Sequence, residues 1–188
     1  TGLSVRFSAN DSSLRPMGRT AGGVGGMKFK RDGDSLLAME VAREGRFLVT
    51  VTDRGIGKRT DIAKWNIKGR NTMGVRVMRL TEMKGGLAGA AIADVDDEIY
   101  TIASNGVVIR TTVEGIKLTG RDAEGGRVMN VAEDETVIGM ARSSAAMQEL
   151  LREVQERQAA ARAAESREVA SSQDADSVGD TGEQEDQA

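Results

Sequence analysis

At 188 residues, with 26 Lys and Arg against 29 Asp and Glu, the chain can hold one ordinary domain or a short array of repeats. It has no Cys and no His, which excludes disulfides, thiolate metal sites and the commonest general base, and suits a reducing compartment. No apolar run approaches the ~20 residues that span a bilayer. With three Phe, one Trp and one Tyr, the core must be aliphatic and methionine-rich.

Thr1 opens inside a strand-like phrase, without Met or a signal-like apolar segment, so the sequence reads as a piece of a longer protein. Val5-Arg6-Phe7 reads as the late part of a repeat unit, answering Val108-Ile109-Arg110. From Gly18 a unit then recurs on a period of 51 residues. Gly18, Gly69 and Gly120 share a column, as do Arg19, Arg70 and Arg121; Gly23, Gly74 and Gly125; and Met27, Met78 and Met129. Leu36, Leu87 and Ile138 continue the match, as do Gly55 with Gly106 and Arg59 with Arg110. A repeat of this length is one supersecondary unit, and the chain is an array of them.

In the middle unit the spacing predicts strands over 74–80, 87–93, 98–104 and 107–113, separated by glycine or acidic turns. Asn105-Gly106 predicts a type I′ hairpin turn, and the preceding copy keeps its glycine at Gly55. Four short strands per unit, with one proline in the chain, match a propeller-type blade. The predicted fold is all-β, a pinwheel- or propeller-like array of about three four-stranded blades over residues 1–142. About three is fewer than the ~4–8 blades of a closed propeller. The array is cut out of phase, which leaves strand edges unpaired at both ends. The last unit reaches only its early strands, near Val137-Ile138-Gly139-Met140.

From Ser143 the texture changes. Met147, Leu150, Leu151 and Val154 follow i, i+3, i+4, i+7, which predicts an amphipathic helix over 143–166, capped by Ser143 or Ser144 and docking its stripe on the last blade. After Val169 the only sizeable apolar side chain is Val178, and residues 167–188 are expected to be a disordered acidic tail. Charge divides accordingly: residues 1–142 carry 22 basic and 18 acidic side chains, residues 143–188 carry 4 and 11. A mildly basic body joined to an acidic tail hints at nucleic-acid contact, with the tail either competing for the body or only solubilising it.

No catalytic constellation is present. Tyr100 repeats as Val49, which makes its column a packing column. Asp94, Asp96, Asp97 and Glu98 lack the spacing of a calcium loop and read as a solvated acidic turn, with no metal. The Gly-rich GRTAGGVGGM has no following Lys-Ser/Thr and no phosphate-loop character. What recurs is positive charge beside turns: Arg19 and Lys28; Lys58, Arg59, Arg70, Arg76 and Arg79; then Arg110, Lys117, Arg121 and Arg127. Repetition at blade period places these on a curved basic stripe, suited to a phosphate backbone and to no base readout. Within the stripe, Arg19, Arg70 and Arg121 either reach DNA or satisfy turn carbonyls, while Lys58, Arg59, Arg76 and Arg127 are the stronger DNA candidates.

The phrases RGIGKRTDI (54–62), KGRNTMGVRVMRL (68–80), SNGVVIRTTVEGIKLTGR (104–121) and EDETVIGMARS (133–143) resemble the C-terminal domain of DNA gyrase A, over residues 1–143. The resemblance implies a β-pinwheel in which neighbouring blades exchange strands and a basic rim wraps duplex DNA. It implies that the wrapped segment serves ATP-dependent negative supercoiling, with ATP and magnesium used elsewhere in the enzyme and no cofactor in this chain. Implied partners are sequence-independent duplex DNA, the remainder of gyrase A, and gyrase B, in the bacterial cytoplasm at the nucleoid and without a membrane. The family's basic box Q-R-R-G-x-K-G is absent, as is any candidate for the strand-cleaving tyrosine, so no activity is expected of the chain itself. The alternatives are the corresponding part of topoisomerase IV and a propeller used as a protein-interaction scaffold.

Overall fold

The computed structural model describes residues 1–145, 147–149 and 152–158. Among the described residues nine strands form in chain order: β1 (Leu3–Ser4), β2 (Phe47–Thr52), β3 (Ile56–Asp61), β4 (Val75–Arg76), β5 (Leu87–Ala93), β6 (Glu98–Ala103), β7 (Val108–Thr112), β8 (Gly126–Arg127) and β9 (Val137–Ser143). They make a two-stranded sheet β1-β4, a four-stranded sheet β5-β2-β3-β8 and a three-stranded sheet β7-β6-β9, every pair antiparallel. Residues 1–145 are one compact unit, and residues 146–188 belong to a second.

Each sheet is assembled from several repeats. The hairpin β2–β3 receives β5 from the following repeat on one side and β8 from the repeat after that on the other. The hairpin β6–β7 receives β9 in the place of β5, and β4 lies on β1 as β8 lies on β3. The expected exchange of strands between neighbouring units is therefore present in the pairing itself. Three apolar clusters fill the spaces so created: Val49, Ala93, Ile99, Val113 and Ile116; Ile62, Trp65, Val77, Met78 and Ile92; and Val51, Ala103, Met129 and Val137. Each draws on at least two repeats, so no unit owns a core of its own.

Two local expectations need correction. The turn between β6 and β7 is a three-residue loop with a bulge glycine, in which the Gly106 amide donates to Ala103 and the Ala103 amide donates to Val107. Gly106 alone of the Asn-Gly pair has positive φ, whereas a type I′ turn needs two. The Gly55 amide donates to Thr52 in the same way. The start of the chain is also shifted by one residue from its expected register. Val77 donates to the Gly2 carbonyl as Val128 donates to that of Gly55, which makes Gly2 the counterpart of Gly55 and Arg6 that of Arg59 and Arg110. Two residues extra precede Gly18, within the stretch that contains the Asn10–Leu14 turn.

Strand β9 runs to Ser143, and helical residues begin at 145, where the Ala145 amide donates to Asp97. Met147 and Val154 of the expected stripe are more than one-third exposed, while Leu150, Leu151 and the tail from 167 lie outside the described residues.

Candidate nucleic-acid interface

The basic residues of the body sort by what already holds them. Lys58 projects from β3, where its two faces are closed by β2 and by the loop over 120–123. It is 1% exposed, and its Nζ donates to the carbonyls of Gly120, Arg121 and Ala123 at 2.7, 2.5 and 3.0 Å. Burial pushes its pKa down to about 8, against the pull of Asp122 and with Arg121 adding to the drop. Lys58 is thus a structural cation with no surface left for phosphate, which overturns its place among the stronger DNA candidates. Its column gives the reason: Val5 and Ile109 occupy the equivalent positions, so the side chain points inward.

Arg59 is half-buried, with its guanidinium 5.0 Å from the centroid of the Phe47 ring, and Arg6 donates to the Ile62 and Trp65 carbonyls. Arg70 donates to the carbonyls of Ser13 and Gly25, the turn-satisfying role among the two open to its column. Arg121 is half-buried and lines a shallow cleft with Ser4, Arg6, Lys64, Trp65 and Lys68, whereas Arg19 is exposed. The three members of that column therefore do not share one environment.

Arg76 and Arg79 both pair with Asp122, at 2.9 and 3.4 Å, and each remains 55% exposed. Their hydrogen bonds hold the Asp122 carboxyl below the usual range. Arg110 pairs with Glu98 at 3.2 Å. The exposed Asp122 pairs are worth ~0–1 kcal/mol each, so exchanging that carboxylate for a phosphate costs little, whereas Glu98 is buried and would lose its Arg110 partner. Arg127 reaches only the neutral amide of Asn130. Among the described residues, exposed Arg19, Lys28, Lys64, Lys68 and Lys117 have no acidic partner within ion-pair distance. The Lys117 stem lies over Gly126, where a side chain would contact it.

Lys64 and Lys68, which flank Trp65, are not among the basic residues named from the sequence. The indole, buried and donating its N–H to the Ser4 hydroxyl at 2.8 Å, anchors the segment between the 3-10 turn Ile62–Lys64, which ends on one lysine, and Lys68. The acidic turn after β5 is another correction. Asp94 pairs with Arg46, Glu98 with Arg110, and Asp97 is buried on Arg142 at 2.9 Å, so the turn is a network of ion pairs rather than a solvated loop. Burial works against the Asp97 anion, but the amides of Asp94 and Ala145 and the Arg142 guanidinium outweigh it and lower its pKa. Tyr100 is half-buried, with its hydroxyl directed to Glu98. Among the described residues no group of three or more acidic side chains could hold a metal ion, and no helix is long and apolar enough to cross a membrane.

Residues 2–43, 46–93 and 97–144 match the family described as DNA gyrase C-terminal domain, beta-propeller. The chain is 44% identical over 146 residues to the DNA gyrase A protein of Streptomyces coelicolor, covering 78% of this chain and 17% of that protein. It is 43% identical over 143 residues to the DNA gyrase A protein of Mycobacterium tuberculosis, covering 76% of this chain and again 17% of the relative. Among solved structures, a DNA gyrase A C-terminal domain superposes with a TM-score of 0.67 at 25% identity, over 75% of this chain and 47% of that one. The C-terminal domain of DNA topoisomerase IV shares the fold, with a TM-score of 0.72 at 24% identity over 84% of this chain and 49% of the other. The chain thus spans under one-fifth of the curated relatives and about half of the solved domains.

Proposed function

The chain belongs to the family of DNA gyrase C-terminal domains, and on that premise we propose that it is a non-catalytic part of a gyrase A protein that binds and wraps duplex DNA. The observation that carries this reading is the division of the basic residues. Lys58, Arg6 and Arg70 are spent on backbone carbonyls, while Lys64, Lys68, Lys117 and Arg127 stand exposed without a carboxylate partner among the described residues. Lysine and arginine point charges on a β scaffold engage phosphates of any sequence, and released counterions supply the affinity. With about four to six phosphate contacts, log K falls against log salt with a slope of roughly −4 to −5.

Wrapping by this surface would present a DNA segment to the rest of gyrase A and to gyrase B, where ATP and magnesium act in negative supercoiling by the whole bacterial enzyme. The curated relatives at 43–44% identity favour gyrase over topoisomerase IV. The test is ligation of a nicked circle with the chain bound. Wrapping shifts the linking-number distribution from that of circles ligated without protein, and the chain alone leaves closed plasmid unchanged with or without ATP. Tight, salt-sensitive binding with no shift in linking number would reduce the role to binding without wrapping.

A further inference from the structure

The loop over 120–124 carries two carboxylates that lie on basic residues of the preceding repeat. Asp122 accepts from Arg76 at 2.9 Å and from Arg79 at 3.4 Å, and Glu124 accepts from Lys84. The loop is not free to swing away. Lys58 holds three of its carbonyls, and the Arg79 amide donates to Ala123. Arginine side chains take phosphate oxygens in the same manner as they take carboxylate oxygens. The contact between the repeats forms equally well without these acids. One repeat earlier the Lys28 amide donates to Thr72 as that of Arg79 does to Ala123, yet the columns of Asp122 and Glu124 there hold Asn71 and Met73. Lys28, in the column of Arg79, has no acidic partner among the described residues. Both sides of each contact lie inside the run of repeats, so neither arrangement depends on what precedes Thr1.

We propose that Asp122 and Glu124 are built-in phosphate mimics that withhold Arg76, Arg79 and Lys84 from DNA, so that this sector grips a duplex more weakly than the sector of Lys28. The proposal rests on the DNA-binding reading above. A phosphate reaching Arg76, Arg79 or Lys84 must displace a carboxylate already in place and tethered to the same chain, which competes at a high effective concentration. A phosphate reaching Lys28 displaces only water and counterions. Because the Asp122 pairs are exposed, the competition is one of degree and not an absolute block. The grip on a duplex is thereby graded along the array, firm beside the first repeat and loose beside the 120–124 loop.

The experiment is titration of one duplex with the 188-residue chain over a range of salt. Four chains are compared: the parent, Asp122→Asn with Glu124→Gln, Glu124→Gln alone, and Glu44→Gln with Glu114→Gln. The last makes the same change of charge at carboxylates that form no ion pair among the described residues. Freeing three cations is expected to tighten binding at least about fivefold at about 0.1 M salt. It is also expected to steepen log K against log salt by about two to three units. Glu124→Gln alone frees only Lys84 and steepens it by about one unit; should the double variant lose its strand content by circular dichroism, this single variant decides. Parent affinity and slope in the freed chains, weaker binding by them, or an equal gain in the Glu44 and Glu114 control overturns the proposal and leaves DNA binding standing. No binding by any of the four overturns both.

Discussion

Hairpins β2–β3 and β6–β7 come from equivalent stretches of successive repeats, yet the outer strand of the first is interior and that of the second lies at the surface. Val49 and Val51 of β2 are wholly buried, β3 is closed over by β8, and even its lysine is inaccessible. Strand β7, with Val108, Ile109 and Arg110 in the same columns as Gly57, Lys58 and Arg59, is exposed along most of its length. The sequences of the two hairpins do not explain this, since the more apolar of the two outer strands is the exposed one. Coverage by a strand from two repeats later explains it. In this array a residue's environment is set by what arrives from elsewhere in the chain, and the same column can be core in one copy and surface in the next.

The sharpest break in that comparison is at the lysine column. Lys58→Met leaves three carbonyls of the 120–123 loop without their donor and is expected to cost about 2–4 kcal/mol, whereas Ile109→Met at the uncovered counterpart costs less than about 0.5 kcal/mol. Urea unfolding measures both. Lys58 has a folded pKa near 8 against an ordinary 10.5, so the native state binds fewer protons than the unfolded chain between those values. Its linkage raises stability as pH climbs from 8 toward 10.5, and the gap between the parent chain and Lys58→Met widens over that window.

The glycines separate the regions next. Gly125→Ala meets the Gly57 carbonyl as well as an unfavourable φ, and is expected to cost about 2–3 kcal/mol. Gly23→Ala, with open space around it, pays only the left-handed conformation, ~1 kcal/mol. Equal losses would mean that the first repeat is covered in solution. Asp97→Asn is expected to cost about 1–3 kcal/mol by weakening the hold on Arg142 and Ala145. Because the folded pKa of Asp97 lies below 3.8, its contribution is present at neutral pH and fades as pH falls below that value, so the two unfolding curves converge in acid.

Much of this architecture was legible in the period. Columns of glycine, leucine and methionine placed the strands β5, β6 and β7 within a residue or two, and the glycines marked both hairpins. What period could not convey is depth. Lys58 stands beside a turn with other cations, and in the sequence only its apolar counterpart Ile109 signals that it points inward. The carbonyl cage that makes its burial tolerable comes from residues 120–123, more than sixty positions away, by a pairing that sequence spacing leaves open. The bulged turns escaped for a local reason: Asn105-Gly106 satisfies the two-residue rule, but the ladder closes at Ala103 and Val107, which adds a residue to the loop. The exposed arginines were found because their columns sit at strand ends, where coverage matters least.

The division between inward and outward cations is tested most directly by the salt dependence of duplex binding. Log K against log salt is measured for the parent chain, for Lys64→Ala with Lys68→Ala, and for Lys58→Met below its lowered unfolding midpoint. The two exposed lysines should remove about two units of slope, while the folded Lys58→Met chain should keep the parent slope despite its lost stability. A flattened slope for Lys58→Met, or an unchanged one without Lys64 and Lys68, would contradict the account.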